Sequence, residues 1–122
     1  MKVAHTGNEI TINGHKVTFP QEIEEVVVLE DRVILRLLTD DFEEGDPLEG
    51  QNILALDAEG KLLWRIEGPI YTNLNEQDEK VPGGYSGLAK SDDGQIFAFI
   101  PIGYVLDLDS NTGKVSNPVF VK

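Results

Sequence analysis

The sequence predicts an all-β domain, an antiparallel meander of about nine to eleven strands folded as a sandwich or a small open barrel. Three observations carry that expectation. Helical periodicity is scarce along the 122 residues. Short β-branched or alternating runs recur throughout, and Gly, Pro, Asn-Gly or Asp-Gly punctuates them every ~8–12 residues. The length suits one domain spanning 1–122, with a modest single core.

Each element can be justified in turn. Glu9-Ile10-Thr11-Ile12, Asn13-Gly14 and His15-Lys16-Val17-Thr18-Phe19 read as a tight hairpin, because Asn-Gly suits the two positive-φ positions of a type I′ turn. Ile10, Ile12, Val17 and Phe19 should share its buried face. Ile23 to Leu29 and Arg32 to Leu38, joined by the polar Glu30-Asp31, are nearly continuous aliphatic runs. Such runs suit strands covered on both sides, so they are expected at the sheet centre. Asp40 to Gly50 carries six carboxylates, two glycines and a proline, and can only lie at the surface. Asn52 to Asp57 and Lys61 to Ile66 form another hairpin around Ala58-Glu59-Gly60. Gly68 to Asp93 loses all pattern and is expected to be the longest irregular segment. Gln95 to Ile100, Tyr104 to Leu108 and Val115 to Val121 close the chain as strands.

Two of these hairpins look like copies. Ile53-Leu54-Ala55-Leu56-Asp57-Ala58-Glu59-Gly60-Lys61-Leu62 parallels Val105-Leu106-Asp107-Leu108-Asp109-Ser110-Asn111-Thr112-Gly113-Lys114-Val115, and the two glycines lie 53 positions apart. Ala55-Leu56-Asp57-Ala58-Glu59-Gly60-Lys61-Leu62-Leu63-Trp64 resembles the blade repeat of pyrroloquinoline-quinone-type β-propellers, Ala-x-Asp-x-x-Thr-Gly-Lys-x-x-Trp. It is one residue short and lacks the Thr. The second copy restores Thr112-Gly113-Lys114 but carries Asn117 in place of the aromatic. The resemblance spans residues 53–64 and 105–115 and implies propeller-like partial sheets in which the Trp packs between blades. It implies no functional residue, since the family holds its cofactor elsewhere. A closed propeller needs at least four blades of four strands, roughly 160 residues or more, so a complete one is excluded.

Composition narrows the function. The chain has 22 acidic and 10 basic residues, a net charge of −12, and no cysteine. The missing cysteine removes disulfides, thiolate metal sites and thiol catalysis, and fits a cytoplasmic setting. The acidity argues against nucleic acid and against anionic membrane surfaces, both of which need basic docking faces. No stretch approaches the ~18–20 apolar residues of a membrane span, and the N-terminus lacks the apolar core of a secretory signal. The acids are polarised: residues 1–61 hold 14 against five bases, residues 62–122 eight against five. Should the first half cluster in space, one face would steer a cationic partner.

Candidate site residues follow. Asp40, Asp41, Phe42, Glu43, Glu44 and Asp46 combine acids with an aromatic, the composition of an anchor for a basic or amphipathic protein. Tyr71 and Tyr85 border the irregular segment and could join them. Asp107, Asp109 and Asn111 place oxygens at alternate positions, as in calcium loops, although the glycine falls one position late and Pro118 stands where the bidentate acid belongs. A plain Asx turn explains the same residues. His5 and His15 are the only histidines and offer little for metal or base chemistry. Gly83-Gly84-Tyr85-Ser86-Gly87 lacks the second glycine of a nucleophile elbow, and no histidine follows it. Gly60-Lys61 and Gly113-Lys114 lack the remainder of a phosphate loop.

No catalytic constellation emerges and no cofactor is implied, calcium aside. The preferred expectation is a non-enzymatic acidic interaction module binding a basic or neutral protein, in the manner of inhibitory or immunity proteins, with a homodimer through an edge strand as a further option. The alternative is a small-molecule or cation-binding barrel or sandwich whose pocket is covered by residues 68–93.

Overall fold

The computed structural model describes residues 1–43, 46–67, 84–101 and 103–121. Eleven strands within them form three antiparallel sheets. Sheet A contains β1 (Val3–Thr6), β2 (Glu9–Ile12) and β3 (His15–Thr18). Sheet B contains β4 (Ile23–Val28), β5 (Arg32–Leu37), β6 (Ile53–Asp57) and β7 (Leu62–Arg65). Sheet C contains β8 (Gly87–Lys90), β9 (Ile96–Ile100), β10 (Tyr104–Leu108) and β11 (Val115–Phe120). Strands neighbouring in sequence are neighbours in each sheet, so all three are up-and-down meanders, and none closes into a barrel.

The expected hairpin of sheet A is present, with Asn13 and Gly14 at φ 50° and 86° as a type I′ turn requires. Ile10 and Ile12 are fully buried, with Val17 and Phe19 packed against the same cluster. Strand β1 carries no periodic signal of its own. Its residues Ala4, His5 and Thr6 are exposed, and its register is imposed by pairing with β2, from Val3 opposite Ile12 to Thr6 opposite Glu9. Strand β8 likewise lies inside the stretch expected to be irregular. It is short, Gly87-Leu88-Ala89-Lys90, and is made a strand by pairing with β9.

The central pair needs one correction. β5 is interior, with Val33, Ile34 and Leu35 buried on alternating faces, but β4 is an edge strand of sheet B. Its aliphatic character has another cause: the first strands of the three sheets, β1, β4 and β8, lie beside one another. There Ile23 N–H donates to the Gly7 carbonyl (2.9 Å), and Leu88 N–H donates to Glu25 Oε1 (3.1 Å). The sheets therefore converge at their first strands. Sheet B, in the middle, buries both faces. Val33, Leu35, Leu37, Leu54 and Leu56 meet sheet A, whereas Ile34, Ile53, Ala55 and Trp64 meet Leu88, Ile96, Ala98, Leu106 and Leu108 of sheet C.

The two similar hairpins occupy equivalent places, as third and fourth strands of sheets B and C. Their turns are built alike. Asp57 N–H donates to the Lys61 carbonyl (2.8 Å) and Asp109 N–H to the Lys114 carbonyl (2.9 Å). Each turn also rests on the last strand of the preceding sheet. A Cβ on Gly60 would lie 2.9 Å from Val17 Cγ2 of β3, and one on Gly113 would lie 2.6 Å from Trp64 Cε3 of β7. Both glycines have positive φ, 81° and 79°. One inter-sheet contact thus occurs twice.

The first of these turns gives an acid-linkage prediction. Lys61 N–H and Glu59 N–H both donate to the Asp57 carboxylate, at 2.9 and 2.8 Å, and hold its pKa below the ordinary 3.8. A depressed folded pKa means that this contribution is complete above 3.8 and fades as pH falls through the lower folded value. Urea titrations of Asp57→Asn between pH 2 and 6 should show a shallower loss of stability below about pH 4 than the parent chain. Parallel curves would refute the linkage.

Candidate functional site

Sheet B ends, on the side where β4 begins and β5 stops, in a concentration of carboxylates. Ile23 pairs with Leu37 at this end, so Glu22 stands beside the 3-10 turn Thr39–Asp41 that follows β5, and Glu24 follows on β4. The β4 ladder is irregular between Ile23 and Glu25, and Glu24 is exposed at that irregularity. Glu22 N–H donates to Asp41 Oδ2 (2.8 Å) and Leu38 N–H donates to the Glu22 carbonyl (2.8 Å), tying the two segments together. Glu22, Glu24, Asp40, Asp41 and Glu43 are all exposed there.

Of the expected partner-binding residues, the structure gathers Asp40, Asp41 and Glu43 at this end and assigns different work to others. Phe42 is 8% exposed and packs with Ile23, Leu35, Leu37 and Leu54. It anchors the loop to the protein's own core and so holds its acidic neighbours outward, instead of offering a ring to a partner. Asp46 caps the 3-10 turn Pro47–Gln51, its Oδ1 accepting from Leu48 N–H (2.9 Å). Its charge also favours the Arg65 guanidinium, whose pKa burial lowers. Tyr85 is completely buried and its hydroxyl donates to the Glu67 carbonyl (2.9 Å), so it too is a core residue. Glu44 and Tyr71 lie outside the described residues. Glu22 was not singled out from sequence, because only the pairing of β4 with β5 brings it to the loop.

The calcium reading fits poorly. Both Asp107 oxygens already accept from neutral amides, Gln95 Nε2 at 2.8 Å and Asn117 Nδ2 at 2.9 Å. Asp109 Oδ1 accepts from Asn111 N–H (2.8 Å), the Asx turn of a hairpin. Among the described residues no three His, Cys, Asp or Glu side chains are grouped to hold a metal ion. His5 and His15 are exposed on sheet A. Open grooves among the described residues include one of about 230 Å³ along Phe99, Val105 and Val121 and one of about 270 Å³ along Ala4, Thr6, Glu9 and Thr11. Both fall below the ~300–1,000 Å³ of typical small-molecule pockets.

Between sheets B and C lies the best-connected polar group. Asn52 is fully buried; its Nδ2 donates to the Leu37 (2.8 Å) and Tyr85 (2.9 Å) carbonyls, and its Oδ1 accepts from Tyr85 N–H (2.8 Å). Glu25 acts similarly at the edge, receiving Arg36 Nε and Leu88 N–H. These contacts join sheets and touch no cleft, so they belong to architecture.

A family model described as a domain of unknown function, DUF7957, matches residues 1–120. The chain belongs to the DUF7957 family. No curated protein matches it. Among solved structures, the DUF7957 chain is similar to the computationally designed Ika8 protein, with a TM-score of 0.56 and 12% identity. That match covers 98% of this chain and 36% of the designed one, so the chain spans about a third of its neighbour's length. At this identity the likeness concerns the fold, and it takes in all three sheets of the DUF7957 domain. No helix among the described residues is long and apolar enough to cross a membrane.

Proposed function

We propose that this DUF7957 chain is a non-enzymatic interaction module of the cytoplasm whose acidic end of sheet B receives a basic or neutral protein. The observation that supports the reading is the juxtaposition of Glu22 with Asp40, Asp41 and Glu43, exposed on a scaffold fixed by buried Phe42, with exposed Glu24 next on β4. Exposed like charges that gather on one end mutually repel and favour a cation that comes to neutralise them; such fields act mainly on association rate and fade with salt. The scaffold is read as a partial array of blade-type sheets, since the two hairpins that resemble propeller repeats hold equivalent strand positions and make the same turn-on-strand contact.

A fluorescent heptalysine peptide is a suitable cationic probe. Binding should weaken about tenfold or more between 20 and 200 mM salt, where the Debye length shortens from about 20 Å to below 10 Å. The combined variant Glu22→Gln, Glu24→Gln, Asp40→Asn, Glu43→Gln should lose most of the low-salt affinity while keeping its circular dichroism, because these four groups are exposed. Asp41 and Asp46 are left intact for their backbone contacts. Equal affinity for parent and variant, or binding indifferent to salt, would sink the proposal.

A further inference from the structure

We infer that the outer face of sheet C is an interface between two copies of this chain, packed face to face about a twofold axis. This surface is distinct from the acidic end of sheet B, so either reading can fail without the other.

The two outermost faces of the array differ in character. In sheet A, Ile10 and Ile12 point inward, so the alternation turns Ala4, Thr6, Glu9, Thr11, Lys16 and Thr18 outward. Glu9 and Lys16 pair there at 3.2 Å. That is a solvated end face of the kind that terminates repeat arrays. In sheet C, Ile96, Ala98 and Ile100 point inward and Phe97 and Phe99 therefore outward. Register places Gly87, Phe99, Val105 and Val119 opposite one another in one row across all four strands, with Ala89 and Phe97 in the next. Phe99 lies over Gly87, where an added Cβ would sit 3.0 Å from its ring. Val119 and Val121 are 58% and 49% exposed. Strands that are apolar on both faces normally have both faces covered.

Three features choose a second copy as the cover. First, the face carries a single carboxylate, Asp107, already held by Gln95 and Asn117. Apposing two such faces therefore brings together little like charge, although the chain as a whole is at −12, whereas a cationic partner would find almost nothing to bind. Second, a further sheet stacked head to tail is disfavoured. In sheet B the receiving position for the next turn is Trp64, but the matching position of sheet C is the exposed Asn117, and sheet A, which would have to supply the other surface, is polar. Third, pairing through the β11 edge is obstructed by Pro118 and by Asn117 at φ 51°, beside the register shift between Val105 and Asp107. What remains is an isologous face-to-face contact, in which the same patch serves both subunits. Four strands about 4.8 Å apart and about 17 Å long give a footprint of roughly 300 Å². Counted on both copies this buries about 600 Å², about half of the ~1,200 Å² at which specific interfaces begin, so only a weak dimer, with a dissociation constant of about 100 µM, is expected.

The cysteine-free chain makes the test clean. Light scattering of the full chain from 5 to 200 µM should show a rise from monomer toward dimer. Val119→Glu, at an exposed position, should weaken the dimer at least tenfold with unchanged circular dichroism. Val105→Cys, in the middle of the face, should form disulfide-linked dimers under mild oxidation, whereas Thr11→Cys on sheet A should not. A monomer throughout that range overturns the inference. So does a dimer indifferent to Val119→Glu, or a mixture in which Val105→Cys chains couple preferentially to Thr11→Cys chains, the signature of head-to-tail ring closure.

Discussion

Asn52→Ala is expected to lower stability by about 3–5 kcal/mol, a large share of the about 5–15 kcal/mol that holds a domain of this size folded. The side chain is fully buried and makes three hydrogen bonds, giving two and receiving one. Alanine removes all three, costing the Leu37 carbonyl and the Tyr85 N–H their bonds to Asn52 in a dry interior and leaving the Tyr85 carbonyl the long contact from Arg36 Nη1 (3.5 Å); each buried hydrogen bond lost this way costs about 1–3 kcal/mol. Water has little room to substitute. The backbone of Gly84 is so close that a Cβ there would lie 2.4 Å from Asn52 Oδ1 and 2.0 Å from the Glu49 carbonyl. Asn52→Asp is the informative companion: it keeps an acceptor for Tyr85 N–H but loses both donations and buries a charge, so it should be no milder than alanine. Urea unfolding measures both. A loss below about 1 kcal/mol for Asn52→Ala would show that the site relaxes or hydrates, contrary to the packing around it.

Why the sequence hinted at some of this and missed the rest is a matter of range. Hairpins whose signal is local were legible: Asn13-Gly14 demands a type I′ turn, and Asp57 to Lys61 closes its own turn through backbone hydrogen bonds and the Asp57 carboxylate. β1 and β8 were not, because four residues with at most one buried side chain become strands only when a neighbour supplies the ladder. The same limit governs the site. An aromatic among acids looks like a partner anchor from composition alone; Phe42 turns inward because Ile23, Leu35 and Leu37 leave an apolar seat beneath the loop. Glu22 reaches the acidic end through a strand pairing that no local pattern announces. Asn52, which reads only as the first residue of a strand, owes its importance to a segment 33 positions away.

Trp64→Ala should cost about 3–5 kcal/mol, since the indole is 8% exposed and fills the core between sheets B and C. Its Nε1–H also donates to the Ser110 carbonyl (2.9 Å), which receives Arg32 Nη1 as well (3.0 Å). Because Arg32 remains to satisfy that carbonyl, Trp64→Phe should cost only about 1–2 kcal/mol. The contact with Gly113 gives the sharper test. Gly113→Ala is penalised by its positive φ and by a Cβ 2.6 Å from the ring. Removing the ring abolishes the second penalty, so the double variant should be more stable than the sum of the single effects predicts by about 1–2 kcal/mol. Additive effects would mean that the turn does not rest on Trp64. Asn117 supplies the contrast. Counted from the turn glycine it holds the position of Trp64 in the second hairpin, but it is exposed and, among the described residues, no turn lies over it. Asn117→Ala should cost no more than about 1 kcal/mol, chiefly for leaving a residue that tolerates φ 51°. One repeat position would then be decisive in the middle sheet and dispensable in the last, because an aromatic there stabilises the array only where another sheet follows to cover it.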